Sequence, residues 1–230
     1  MTTIFGLKHP QVNLAILAAD MQTTSLGSEN QAPTKYLEGR KLWLANNEMY
    51  AFGHSGLRDD ALNALAESMK SGNIDIEKVL TEGKFPQLRE FNLSRLGDKI
   101  PDLNKLSSFL IISRYKNNPA LHTCFPLGAV EPRTWTQIGS GGDRVEEYMN
   151  SLIVMSNART YLNTTNPVNR DDIVRVGLEA IRYAQGIDIY SSGIDMIALT
   201  PDSSIDCFKL LQEDFDKKIQ SVQDRIKAAK

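Results

Sequence analysis

Cysteine is scarce in this chain of 230 residues: only Cys124 and Cys207 occur, far apart and outside any CxxC spacing. That excludes a disulfide framework, fits a reducing compartment, and leaves both as small core residues. Charge of one sign is not in excess either. The formal net charge is -2, and Lys and Arg are scattered rather than striped, so nucleic acid is not an expected partner. No apolar run approaches the length of a membrane span, and the one near the N-terminus is bracketed by Asn13 and Asp20, which excludes a readable signal peptide. The expected location is the cytoplasm. His9, His54 and His122 form no HxH or HxxxH pair, so no metal is expected, and the GxSxG elbow of serine hydrolases is absent. Internal repeats and low-complexity tracts are also missing.

What is present is the composition of a globular domain. A hydrophobic share of 41% with 23% charged residues suffices for a real core, and residues 1–230 read as a single domain. Residues 2–9 and 14–20 predict a hairpin that starts at the N-terminus. A polar loop over residues 25–34 follows, then two further strands over 41–45 and 49–53. Apolar positions Leu62, Leu65, Ala66 and Met69 predict a helix over 57–71, stopped by Gly72-Asn73. Residues 76–80 read as helical, and Pro86, Gly97 and Pro101 leave the rest of 74–106 unassigned. Strands resume over 108–113, 120–125 and 128–131. Beyond Gly142 the period becomes helical, with one face from Val145 to Ile153 and another from Ile173 to Ala184. Strands over 187–190 and 196–200 precede an amphipathic helix over 204–230. Strand blocks alternating with helix pairs, without a βαβ rhythm, predict an α+β fold whose sheets are covered by helices.

Chemistry enters at Thr2. Methionine aminopeptidases trim Met before small residues, so Thr2 is a plausible free amino terminus. A Thr hydroxyl is a poor nucleophile alone, but its own α-amino group, with a pKa of about 7.7 to 8.0, can serve as general base. One residue then supplies nucleophile and base. By itself, Thr2 is no more than a common second residue.

The chain opens Thr2-Thr3-Ile4, and its second strand ends Ala18-Ala19-Asp20-Met21-Gln22-Thr23-Thr24. Then come, in order, Gly39-Arg40-Lys41-Leu42, Gly53-His54-Ser55-Gly56, Ile138-Gly139-Ser140-Gly141-Gly142 and Asp188-Ile189-Tyr190-Ser191-Ser192-Gly193. Together these segments resemble the proteasome β subunits and their bacterial ATP-dependent relative, members of the N-terminal nucleophile (Ntn) hydrolases. They stand in the order of that family's Ala-Ala-Asp, active-site lysine, glycine-containing turn, Ile-Gly-Ser-Gly and Asp-x-x-Ser-Gly. The resemblance spans nearly the whole chain. It implies a four-layer αββα sandwich, two antiparallel sheets covered by helices on both sides, and a threonine peptidase without a cofactor.

The resemblance also assigns roles. Lys41 would lower the pKa of the Thr2 hydroxyl and amine, and Asp20 would hold that lysine charged. Arg40 competes for the position, since one register slip exchanges the two, but an Arg would not transfer a proton. Gly56 would donate its N–H to the oxyanion, and Ser140, Asp188 and Ser191 would surround the Thr2 amine. Thr23 and Thr24 would flank the substrate channel. Trp43, His54 and Arg58 would shape the pocket for the side chain before the cut, a polar and basic set that suits acidic or small polar side chains. The family also implies a ring of identical subunits enclosing a polypeptide substrate, with an ATPase or an α-type ring as partner. The chain shows neither the leading helix of non-catalytic α subunits nor a propeptide beyond Met1, so the catalytic type is expected. Two other readings stay open: acyl transfer, ligation or small-amide hydrolysis by the same nucleophile, and a non-catalytic ring or scaffold subunit. A phosphate-binding turn at Gly139-Ser140-Gly141-Gly142 lacks the Lys-Ser/Thr, the GxGxxG spacing and the βαβ unit it would need.

Overall fold

A computed structural model of the chain describes residues 3–9, 12–25, 34–37, 41–56, 60–96, 106–114, 118–154, 170–186 and 194–206. The first two strands, β1 (Thr3–His9) and β2 (Leu14–Asp20), form the expected hairpin, turning through Asn13 at φ 47°, a left-handed conformation that Asn tolerates. Every residue of β2 is buried, which explains its near-continuous apolar sequence. A ribbon follows, β3 (Gln22–Ser25) with β4 (Thr34–Leu37), and the strands β5 (Leu42–Leu44) and β6 (Tyr50–Ser55) come next. The ribbon flanks the polar loop expected over residues 25–34, whose end residues Ser25 and Thr34 pair with each other, and its strands carry no apolar alternation.

Helices α1 (Asp60–Ser71), α2 (Ile76–Glu82) and α3 (Pro86–Leu96) then run in series. In α1, Leu62, Ala66 and Met69 form the buried stripe. In α2, the Asp75 carboxylate accepts from the Lys78 N–H at 3.0 Å, and Gly83 closes the helix at φ 65°. Pro86 opens α3 instead of breaking it, since the first helical residue needs no N–H partner. No apolar stripe announces α3, because one of its two buried residues is Asn92, whose amide donates to Ser107 O and Pro126 O and accepts from Ser107 N.

Strands β7 (Ser108–Ser113), β8 (Ala120–Cys124) and β9 (Val130–Arg133) join β5 and β6 in a five-stranded antiparallel meander. The chain then crosses to the first sheet through β10 (Trp135–Gly139) and adds α4 (Gly142–Val154) and α5 (Arg170–Gln185). It ends with β11 (Ile194–Leu199) and β12 (Ser204–Asp206). That sheet, also antiparallel, runs β10-β1-β2-β11-β12. Ser204 thus starts a strand, not the terminal helix the sequence predicts, because Ser204–Asp206 pairs with the end of β11. Residues 207–230, where the rest of that helix would fall, and the expected strand over 187–190 lie outside the described residues.

Three apolar clusters hold this mixed α+β structure together. One joins Phe5, Leu7, Ile16 and Ala18 to Val145, Met149, Ile173 and Ile181 of α4 and α5. Another joins Phe52, Phe109 and Ile111 to Leu62, Met69 and Leu88 of α1 and α3. The third unites strands of both sheets, with Ile4, Leu17 and Ile197 against Ala51, Leu110 and Leu121. Alternate residues of β1 and β2 serve the first and third clusters, as the two-residue period of a strand requires. Among the described residues, no helix is long and apolar enough to cross a membrane.

Candidate active site

The N-terminal end of β1 is where the expected site begins. Thr2 lies outside the described residues, and Thr3 is the first of the strand. Thr3 is buried between β10 and β2: it pairs with Gly139 on one side, and its backbone N–H donates to Asp20 Oδ1 at 2.5 Å on the other. The second carboxylate oxygen, Oδ2, accepts from Lys41 Nζ at 3.1 Å. Asp20 therefore bridges the start of the chain and an ammonium carried by the other sheet. Both side chains of this ion pair are buried.

Burial pushes the Lys41 ammonium below the ordinary lysine value, and the Asp20 charge and hydrogen bond oppose that shift. The result is a desolvated cation held by the Asp20 carboxylate, next to the backbone of Thr3. Between the two register alternatives, Lys41 is the residue whose side chain reaches Asp20; Arg40 lies outside the described residues.

The register of β5 on β6 pairs Leu42 with Gly53 and Trp43 with Phe52, so one step further brings Lys41 opposite His54. The His54 ring stacks on Trp43 at 4.9 Å between centroids and tilts against Phe109 at 5.3 Å. Neither of its nitrogens has a hydrogen-bond partner among the described residues. Burial, then the nearby Lys41 charge, pushes the imidazole down to about 4, so it is neutral at pH 7. The pocket expected to be basic is thus aromatic and uncharged at this residue. Arg58, the other basic member, lies outside the described residues.

Glycines fit these pieces together. A Cβ at Gly53 would come within 2.9 Å of Ile4 Cδ1 and 2.7 Å of Leu42 Cδ2, so glycine lets β6 approach β1. Gly56, exposed at the end of β6, has φ 141° and lies so close to Ser107 that a Cβ would stand 2.9 Å from its Cα. Gly141 abuts Thr3, where a Cβ would collide with Oγ1, and Gly142 abuts the side-chain amide of Gln137. Gly141 and Gly142 of the Gly-Ser-Gly-Gly turn therefore have a packing reason that requires no phosphate. Ser140 sits exposed in that turn.

Thr23 and Thr24 lie on β3, paired with Tyr36 and Lys35. Asp188 and Ser191 lie outside the described residues. The structure thus gathers Asp20, Lys41, Trp43 and His54, with Thr3 and Gly141 at the β1 end. Sequence reasoning misses Asp195, whose Oδ2 accepts from the backbone N–H groups of Lys41 and Leu42 at 2.9 Å each. The available signal is a lone Asp inside the apolar run Ile194–Leu199, where a buried carboxylate must have partners.

The chain matches no known protein-family model, and a comparison with curated proteins likewise finds no match.

Proposed function

We propose that the chain is an N-terminal-threonine hydrolase that cleaves peptide bonds, with Thr2 as nucleophile once Met1 is removed. The observation that carries this reading is the buried Asp20 carboxylate, which joins the Thr3 N–H to the Lys41 ammonium. A desolvated cation beside the first strand is what a threonine alkoxide needs for electrostatic support. Two antiparallel sheets, with helices packed against strands of each, support the finer reading of a four-layer αββα Ntn-hydrolase fold.

In this mechanism the Thr2 α-amine accepts the hydroxyl proton as Oγ attacks the substrate carbonyl carbon. The oxyanion is held by the Gly56 N–H, and the amine returns the proton to the leaving nitrogen as the C–N bond breaks. Water, deprotonated by the same amine, then attacks the acyl ester and releases the acid. Ser140, Asp188 and Ser191 orient the amine. The chain acts in the cytoplasm as a homo-oligomeric ring, with an ATPase or an α-type ring as partner. Because His54 is neutral, selection of acidic or small polar side chains rests on hydrogen bonding to its imidazole and on the positive charge of Lys41 and Arg58.

Intact mass and a threonine-directed peptide electrophile test the proposal together. The expected result is loss of Met1, one covalent adduct on the N-terminal peptide, and cleavage of fluorogenic peptides ending in Glu faster than those ending in Leu. Thr2→Ala should abolish adduct and cleavage alike; full activity in that variant would overturn the reading.

A further inference from the structure

Lys41 immediately precedes β5, which among the described residues is an edge strand paired with β6. An edge strand leaves half of its backbone groups without a ladder partner, and a buried N–H without one is costly. Here the N–H groups of Lys41 and Leu42 converge on one oxygen, Asp195 Oδ2. Asp195 is fully buried on β11 in the opposite sheet, on the same side of its strand as Ile197 and Leu199, which belong to the cluster shared by both sheets. Its strand lies next to β2, with Ile194 paired to Asp20 and Asp195 to Ala19. Neighbouring strands of one sheet therefore grip the same lysine of the other, Asp20 by its ammonium and Asp195 by its backbone.

We propose that Asp195 is the positioning residue of this site: its carboxylate places the Lys41 backbone so that the ammonium meets Asp20 at the start of β1. The catalytic consequence rests on the threonine-hydrolase reading, whereas the grip on Lys41 does not. A carboxylate oxygen suits the task because it accepts two N–H bonds at once and strengthens both by its charge. Misplacing a catalytic group by about 1 Å can cost roughly 100-fold in rate, so the grip belongs to the reactivity of the site as well as to its shape.

The test compares Asp195→Ala and Asp195→Asn in the full chain, each also combined with Lys41→Ala. Hydrogen exchange of the peptide that contains Lys41 and Leu42 reads the grip without requiring activity. It should speed up in Asp195→Ala and stay near wild type in Asp195→Asn, which keeps an acceptor oxygen. The rate of labelling by the threonine-directed electrophile should fall by about 10- to 100-fold in Asp195→Ala. It should recover largely in Asp195→Asn and show no further fall when Asp195→Ala is added to Lys41→Ala. Unchanged exchange at Lys41 and Leu42 overturns the proposal, and so does an equal loss of labelling with and without Lys41. If the wild-type chain takes no label but exchange accelerates in Asp195→Ala, the hydrolase reading fails and the grip stands.

Discussion

His54 shows how a single side chain can couple the site to stability. Its imidazole titrates near 4 in the folded chain against 6.5 when unfolded. Between these values the unfolded chain binds more protons, so stability is full above about pH 6.5 and declines as pH falls toward 4. From pH 7 to pH 5 the loss attributable to this residue is about 2 kcal/mol. Urea unfolding at both pH values should show it, and His54→Phe, which keeps a stacking ring but cannot titrate, should remove most of the difference. An identical pH dependence in the variant would contradict the assignment. Gly141 makes a steric counterpart, since any Cβ there meets Thr3 Oγ1. Gly141→Ala should destabilise by about 1–3 kcal/mol and slow electrophile labelling; thermal melting and the labelling rate check both. The need for glycine at this position is visible in the sequence as a motif, but its cause, contact with Thr3, is not.

At the scale of elements, what is legible in the sequence depends on where each element finds its partners. The first hairpin, α1, and strands β6 to β8 announce themselves because their burial is written locally, as short apolar runs in strands buried almost throughout and as a stripe in α1. The ribbon β3–β4 and helix α3 do not, because one is held by cross-strand pairing without apolar alternation and the other by Asn92 bridging to Ser107 and Pro126. Local capping is the opposite case, since it is written within a few residues. Asp75 caps α2, which packs on β9. Asp75→Ala should lower stability by about 1 kcal/mol, read as a shift in the urea midpoint, with electrophile labelling unchanged. A midpoint equal to wild type would show that the cap contributes nothing.

For the whole molecule, the decisive feature is that the two sheets share an apolar cluster and meet at a buried ion pair. Asp20 of one sheet reaches Lys41 of the other, and Asp195 returns the contact to the Lys41 backbone. Breaking one member of a buried pair is far more damaging than losing an exposed one, so this junction ties the integrity of the site to that of the fold. Assembly is the other property of this scale. The ring proposed above predicts a native mass several times the 25.7 kDa of one chain, measured by native mass spectrometry or light scattering. A strictly monomeric mass would count against the ring.

Sequence alone determines the mixed α+β class, the opening hairpin and the α1 stripe, and it supplies the candidate residues for the threonine chemistry proposed above. These depend on short-range periodicity and on the intrinsic chemistry of side chains, both of which are local. Tertiary structure decides that Asp20 touches both Thr3 and Lys41, that His54 is neutral, and that Asp195 holds Lys41 from 154 positions away. Those outcomes follow from desolvation and from strands packed across two sheets, and neither is a property of any stretch of chain taken alone.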